Sequence, residues 1–139
     1  MCIRDSIKVL QHILPNLKAA QQAAIVFFST VAVKTGFNFH AQVAASKGAL
    51  EGLTKTLAAE FAPRIRVNAI APSITQTPLA AKFLASEEKI KANAKRHPLK
   101  TIGQAEDIAN TAKFLLSEQS AWITGQIIGV DGGISTLRT

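Results

Sequence analysis

The order of elements written into this sequence predicts an α/β fold, about three parallel strands with flanking helices. Three observations carry that reading. The run over 24–29, Ala-Ile-Val-Phe-Phe-Ser, is apolar up to its last residue, the pattern of a strand covered on both faces of a parallel sheet. Two further short runs, 66–71 and 127–130, have the same character. Between them lie stretches with helical periodicity, and a strand–helix–strand–helix–strand order calls for right-handed crossovers.

The elements follow in order. Residues 7–20 place Ile7, Leu10, Ile13, Leu14 and Leu17 at helical spacing, with Pro15 inside as a kink or a mark of the last turns. The strand at 24–29 delivers Ser29 and Thr30 at its end. Residues 31–39 form a loop, with Gly36 and Asn38 as turn formers. Residues 42–61 form a long helix rich in small residues that ends before Pro63. The second strand covers 66–71 and a loop covers 72–78. One or two polar helices cover 79–95, an amphipathic helix 106–116 and the last strand 127–130. No repeat or linker interrupts this series.

Composition narrows the functional classes. A chain of 139 residues is long enough to bury a core. Its single cysteine cannot form an internal disulfide, so a reducing compartment is expected. The longest strictly apolar run, 23–28, is too short to span a bilayer and no signal peptide is visible, so the expectation is a soluble, cytoplasmic protein with no membrane partner. The net charge of +7 is scattered over Lys82, Lys89, Lys91, Lys95, Arg96 and Lys100 without aromatic interleaving. That pattern reads as a solvated helical face rather than a nucleic-acid surface. No cluster points to a metal.

The segment from 25 to 49 carries the chemistry. A strand ending in Ser29-Thr30 is followed by His40, then by a helix with Val43-Ala-Ala-Ser-Lys47-Gly-Ala49. This arrangement resembles the short-chain dehydrogenase/reductase family, whose active-site helix presents a Tyr and a Lys four residues apart on one face. Lys47 matches the Lys; the Tyr position is Val43, and the chain contains no tyrosine. The likeness extends through Leu53 to Leu57 with Ala58-Ala-Glu60, Ile65-Arg-Val-Asn68-Ala-Ile-Ala-Pro72, Gln104-Ala-Glu-Asp107-Ile-Ala109 and Ile123-Thr-Gly125 to Asp131-Gly-Gly133. It covers nearly everything from Ile7 onward.

The resemblance implies the C-terminal half of a Rossmann-like, doubly wound parallel sheet, its last three strands adjacent, and nicotinamide-dependent carbonyl reduction or alcohol oxidation with NAD or NADP in the intact protein. It implies that the family's catalytic Ser falls on Thr30, thirteen residues before Val43, with Ser29 beside it as the other candidate. It implies that Lys47 binds the nicotinamide ribose and lowers the pKa of the Tyr. A phenol titrating near 10 works around neutrality only beside such a positive charge, and a valine has no proton to give. His40, three residues before Val43, is the only histidine near enough in sequence to stand in as the acid; the other reading is an exposed loop histidine.

Further along, the family's nicotinamide-binding loop falls on Pro72, Ser73, Thr75 and Thr77, with Ser73 where the family usually has Gly, at a cost in backbone freedom. Asn68 and Asp131-Gly-Gly133 read as structural. The small residues Ala44, Gly48 and Gly52 suit either packing on the sheet or a subunit interface, and the family implies a homo-oligomer for the full-length protein.

The family's glycine-rich phosphate turn has no match. The run from Gly125 to Gly133 comes at the end of the last strand with six residues after it, so it is rejected as a nucleotide site. The expectation is a C-terminal fragment, 7–139, of one dehydrogenase domain, inactive as this chain. The opening Met1-Cys-Ile-Arg-Asp-Ser6 resembles a translated sequencing adapter, so 1–6 are set apart as a non-native prefix; the other reading is an ordinary terminus with Asp5 or Ser6 as helix N-cap. The family's helix Asn falls near Cys2 and is absent. Two functions compete: an oxidoreductase acting on a small-molecule carbonyl or alcohol, and a pseudoenzyme that keeps the fold as a cofactor-binding, structural or regulatory module.

Overall fold

The computed structural model of the chain describes residues 3–138. Cys2, and with it the position of the absent helix Asn, lies outside the described residues. Four α-helices and five strands follow in the order α1 (Ile3–Ala19), β1 (Ala23–Phe28), α2 (Ala41–Phe61), β2 (Ile65–Pro72), β3 (Thr75–Gln76), α3 (Glu87–Lys95), β4 (Gly103–Gln104), α4 (Ala105–Leu116) and β5 (Ile127–Val130). Single 3-10 turns lie at Val31–Val33, Pro78–Phe83 and Glu118–Ser120.

β1, β2 and β5 form a parallel sheet with β2 in the centre. Ala23 to Phe28 run opposite Ile65 to Ile70, and Ala69 to Pro72 opposite Ile127 to Val130. The two faces of β2 separate by the alternation of its side chains. Ile65 and Val67 point into a core with Leu10 of α1 and Leu57 and Ala58 of α2, flanked by Ile25, Phe27 and Leu53.

Arg66, one residue out of phase, reaches α4 on the other face. Its guanidinium donates to the Leu115 carbonyl (2.8 Å), the Ser117 carbonyl (2.9 Å) and the Ser120 hydroxyl (2.8 Å). A cation on the open carbonyls of a helix C-terminus satisfies acceptors the helix cannot satisfy itself and opposes its dipole. The result is three layers, with α1 and α2 on one side of the sheet and α4 on the other.

Several elements differ from the sequence expectation. α1 starts at Ile3, so Asp5 and Ser6 lie within it and neither is its N-cap; Ser6 is buried. Pro15 is accommodated inside the helix, which continues to Ala19. The loop expected over 72–78 holds the short strand β3, which pairs with β4 in parallel; two-residue strands are too short to leave an alternation in the sequence. The expected loop at 31–39 opens on a 3-10 turn.

β1 is the fourth difference. Its run reads as a strand covered on both faces, yet its residues are only half-buried and Phe28 is 47% exposed. Among the described residues β1 pairs on one side only, with β2. β2, paired on both sides, is buried from Val67 to Ala71. Strand pairing and helix cover, not composition, set this contrast.

An unpaired apolar strand edge is a template for association. Light scattering on the purified chain is therefore expected to show oligomers or aggregates, and a monomer with a cooperative melt would contradict this. At the centre, Asn68 is fully buried; it donates to the Ile123 carbonyl (2.9 Å) and accepts from the Gln126 N–H (3.0 Å). Asn68→Ala strands both groups and is expected to cost about 2 kcal/mol or more in urea denaturation.

Candidate active site

The residues singled out from the sequence meet where β1 and β2 end. Phe28, the last residue of β1, sits opposite Ile70, and the Ser29 N–H continues the ladder by donating to the Ile70 carbonyl (2.7 Å). Lys47, on α2, reaches over this strand end and donates its Nζ to the Phe28 carbonyl (2.6 Å). Partial burial pushes the Lys47 ammonium below its ordinary value of 10.5. The helix and the strand end are thus joined at the residue expected to meet the cofactor.

Ser29 is buried, and its hydroxyl donates to Glu51 Oε1 (2.6 Å). Glu51 was not among the expected site residues. The signal for it was present: Val43, Lys47 and Glu51 follow at i, i+4 and i+8 of α2, one above another on a helix. Of the two candidates for the catalytic hydroxyl, Ser29 is therefore already engaged by a carboxylate. The Thr30 hydroxyl accepts from the Ala32 N–H (3.3 Å), capping the 3-10 turn, and this contact leaves its proton uncommitted.

Val43 is 47% exposed. The position that would carry the phenol thus opens outward one turn before Lys47. His40 occupies the N-cap of α2 without a side-chain cap bond. Its Nδ1 lies 2.8 Å from the Asn38 carbonyl and its ring tilts against Phe37 at 5.8 Å. A carbonyl only accepts, so Nδ1 carries a proton there; in the neutral ring Nε2 is then an acceptor, and His40 gives a proton from Nε2 only as an imidazolium. The Ser46 hydroxyl oxygen, beside Lys47, is buried with no hydrogen-bond partner among the described residues.

The loop from 72 to 77 is built by side chains folding onto their own backbone. Pro72 closes β2, Thr75 Oγ1 donates to the Ser73 carbonyl (3.0 Å) and Thr77 Oγ1 to the Thr75 carbonyl (3.4 Å). The Ser73 hydroxyl meets Nε2 of His97 (2.9 Å), a buried histidine that the sequence did not single out. Past β5, Asp131 accepts from the N–H groups of Gly133 (2.8 Å) and Ser135 (3.2 Å) and from the Ser135 hydroxyl. Burial alone would raise its pKa, but the Ser135 hydroxyl, those N–H groups and the charge of Lys34 together hold it below the usual carboxylate value. Gly132 and Gly133 turn the chain there at φ 59° and 88°.

Among the described residues no group of three or more His, Cys, Asp or Glu side chains is placed to hold a metal, and no helix is long and apolar enough to cross a membrane. For a nicotinamide dinucleotide, the donor set suits one end. The Lys47 ammonium and the Thr30 hydroxyl are polar groups of the kind that hold a ribose or a carbonyl, but no glycine-rich strand-to-helix turn is present among the described residues to receive a pyrophosphate.

Comparison with known proteins agrees with this architecture. Residues 3–135 match the family model described as enoyl-(acyl carrier protein) reductase. A 3-oxoacyl-[acyl-carrier-protein] reductase of Thermotoga maritima is 38% identical over 134 residues, covering 95% of this chain and 53% of that protein. A gluconate 5-dehydrogenase of Burkholderia cenocepacia, solved with NADP and tartrate, superposes with a TM-score of 0.86 at 29% identity, over 94% of this chain and 51% of that one. A 3-oxoacyl-[acyl-carrier protein] reductase of Brucella melitensis with bound NAD gives 0.82 at 34% identity, over 94% and 48%. The chain belongs to the short-chain dehydrogenase/reductase family. It spans about half the length of the relatives it matches.

Lys47 supplies a pH test of the geometry. Its folded pKa lies below its unfolded one, so between the two the unfolded chain binds more protons and stability rises with pH across that window. An NMR titration of the lysine side chains is expected to show Lys47 with the lowest midpoint. Relative to Lys47→Met, the wild type is expected to gain stability as pH rises toward 10.5; a midpoint among those of the surface lysines would contradict the burial.

Proposed function

We propose that these residues form the C-terminal part of a nicotinamide-dependent oxidoreductase domain acting on a small-molecule carbonyl or alcohol in the cytoplasm. The observation that supports this reading is the seating of Lys47 over the end of β1, beside Ser29 and Thr30, with Val43 one turn away on the same helix. Bound NAD or NADP would supply or accept the hydride. Lys47 would hold a ribose hydroxyl, and the Thr30 proton would be directed at the substrate oxygen. The loop with Pro72, Ser73, Thr75 and Thr77 would line the nicotinamide end.

The assignment of 7–139 to one domain, with 1–6 set apart as foreign, belongs to the same proposal. Pairing of α2 between full-length subunits also belongs to it. At Gly52 an added Cβ would meet nothing within 4 Å, whereas at Gly48 it would meet Val33 Cγ1 at 3.7 Å, so the Gly52 position is free to take a partner while Gly48 packs inside the fold.

Val43 favours a second reading, a pseudoenzyme that keeps the fold as a cofactor-binding, structural or regulatory module. No group at this position can donate a proton, and Ser29, bound to Glu51, does not replace it. Cofactor titration and turnover over a panel of carbonyls, on a full-length protein, separate the two. Binding with turnover supports the oxidoreductase; binding without turnover supports the pseudoenzyme.

Two outcomes are expected. Calorimetry on the 139-residue chain alone is expected to show no micromolar affinity for NAD or NADP, since Lys47 and the 72–77 loop address one end of the dinucleotide. Val43→Tyr in a full-length protein is expected to raise carbonyl reduction weakly. The side chain is 47% exposed, so overpacking, which costs about 1–3 kcal/mol in a closed core, does not oppose the ring here. An ordinary rate with Val43 in place would show that another group supplies the proton, and His40→Ala measured from about pH 5 to 9, a range bracketing the usual histidine pKa, tests that candidate.

A further inference from the structure

Outside the Lys47 constellation, the structure holds a histidine–hydroxyl pair. His97 follows α3 and is 2% exposed. Its Nδ1 lies 2.8 Å from the Asn93 carbonyl, one turn back, and its Nε2 lies 2.9 Å from the Ser73 hydroxyl. The carbonyl can only accept, so Nδ1 carries the proton. In the neutral ring Nε2 then presents its lone pair, and the Ser73 hydroxyl donates to it. This is the order of a nucleophile, its base and the group that orients the base.

The ring has little freedom to leave this geometry. It is buried, and both of its nitrogens are engaged. Ser73 itself is half-buried, and both residues line a cleft of about 490 Å³ with Thr101, Asp107, Thr111 and Asp131. The cleft gives a small molecule space beside the hydroxyl. Neither residue contributes to the contacts among Ser29, Lys47 and Glu51.

We propose that Ser73 and His97 form a nucleophile–base pair, through which the Ser73 hydroxyl is acylated by small activated esters and phosphonylated by their phosphorus analogues. In acylation the bond from Ser73 Oγ to the acyl carbon forms and the bond from that carbon to the leaving oxygen breaks. The serine proton passes to His97 Nε2 and on to the leaving group. Water then hydrolyses the acyl-serine to a carboxylic acid, with no redox change and no cofactor.

The test uses the full chain without nicotinamide, treated with a small alkyl fluorophosphonate and read by intact mass and peptide mapping. One adduct, on Ser73, is expected, with loss of HF; Ser73→Ala is expected to remain unlabelled. His97→Gln, with fold checked by circular dichroism, is expected to slow labelling about 100-fold or more, the usual contribution of a general base. A wild type that stays unlabelled, a label spread evenly over the serines, or an unchanged rate in folded His97→Gln overturns the proposal. Should His97→Gln fail to fold, the wild type still decides: labelling of Ser73 must vanish in urea, and equal labelling of folded and unfolded chain overturns it.

Discussion

The arrangement of the chain depends on what the buried strand β2 holds on its two sides. Arg66 clamps the C-terminal end of α4 through three hydrogen bonds, and Asn68 closes the chain leading into β5 through two. A guanidinium, with donors in a rigid fork, suits several acceptors at once; a buried amide suits one donor and one acceptor. Replacing either group with an apolar side chain would leave the partners desolvated and unmatched. These polar contacts fix where α4 and β5 stand, while Ile65 and Val67 seal the opposite face against α1 and α2.

With that framework set, the sheet delivers its functional groups at the strand ends. The Phe28 carbonyl, left at the end of the β1 run, takes the ammonium of Lys47, and Ser29 takes the carboxylate of Glu51. Two residues of one helix, four apart, thereby grip the last residue of β1 and the residue after it. Val43 lies one turn earlier on α2, is half exposed, and takes no part in this grip.

Much of the architecture was legible beforehand. The long periods of α2 and α4 and the apolar run of β5 were visible, because a helix face and a buried strand each impose a repeat on the sequence. Lys47, Thr30 and Ser29 were singled out by resemblance to the family, and the fold gathers them at the end of β1. Glu51 was missed because its partner lies 22 residues away, just past the end of β1. His97 was missed for a similar reason: it sits in a polar stretch of lysines, and only the fold brings it to Ser73 across 24 residues. The half-exposed state of β1 was also beyond sequence, because an apolar run reports what a strand can bury, while burial itself requires a neighbour.

By itself, the sequence determined the α/β class and the valine at position 43, since composition and periodicity are local properties of the chain; that three parallel strands lie side by side was implied by the family resemblance. Tertiary structure decided which hydroxyl is free and which is engaged. Thr30 turns its oxygen to a backbone N–H two residues on, whereas Ser29 is held by Glu51 and Ser73 by His97. Adjacent serine and threonine residues have the same chemistry on paper. They differ only when folding sets a particular acceptor within 3 Å of one of them, because a hydrogen bond depends on distance and direction that no local pattern encodes.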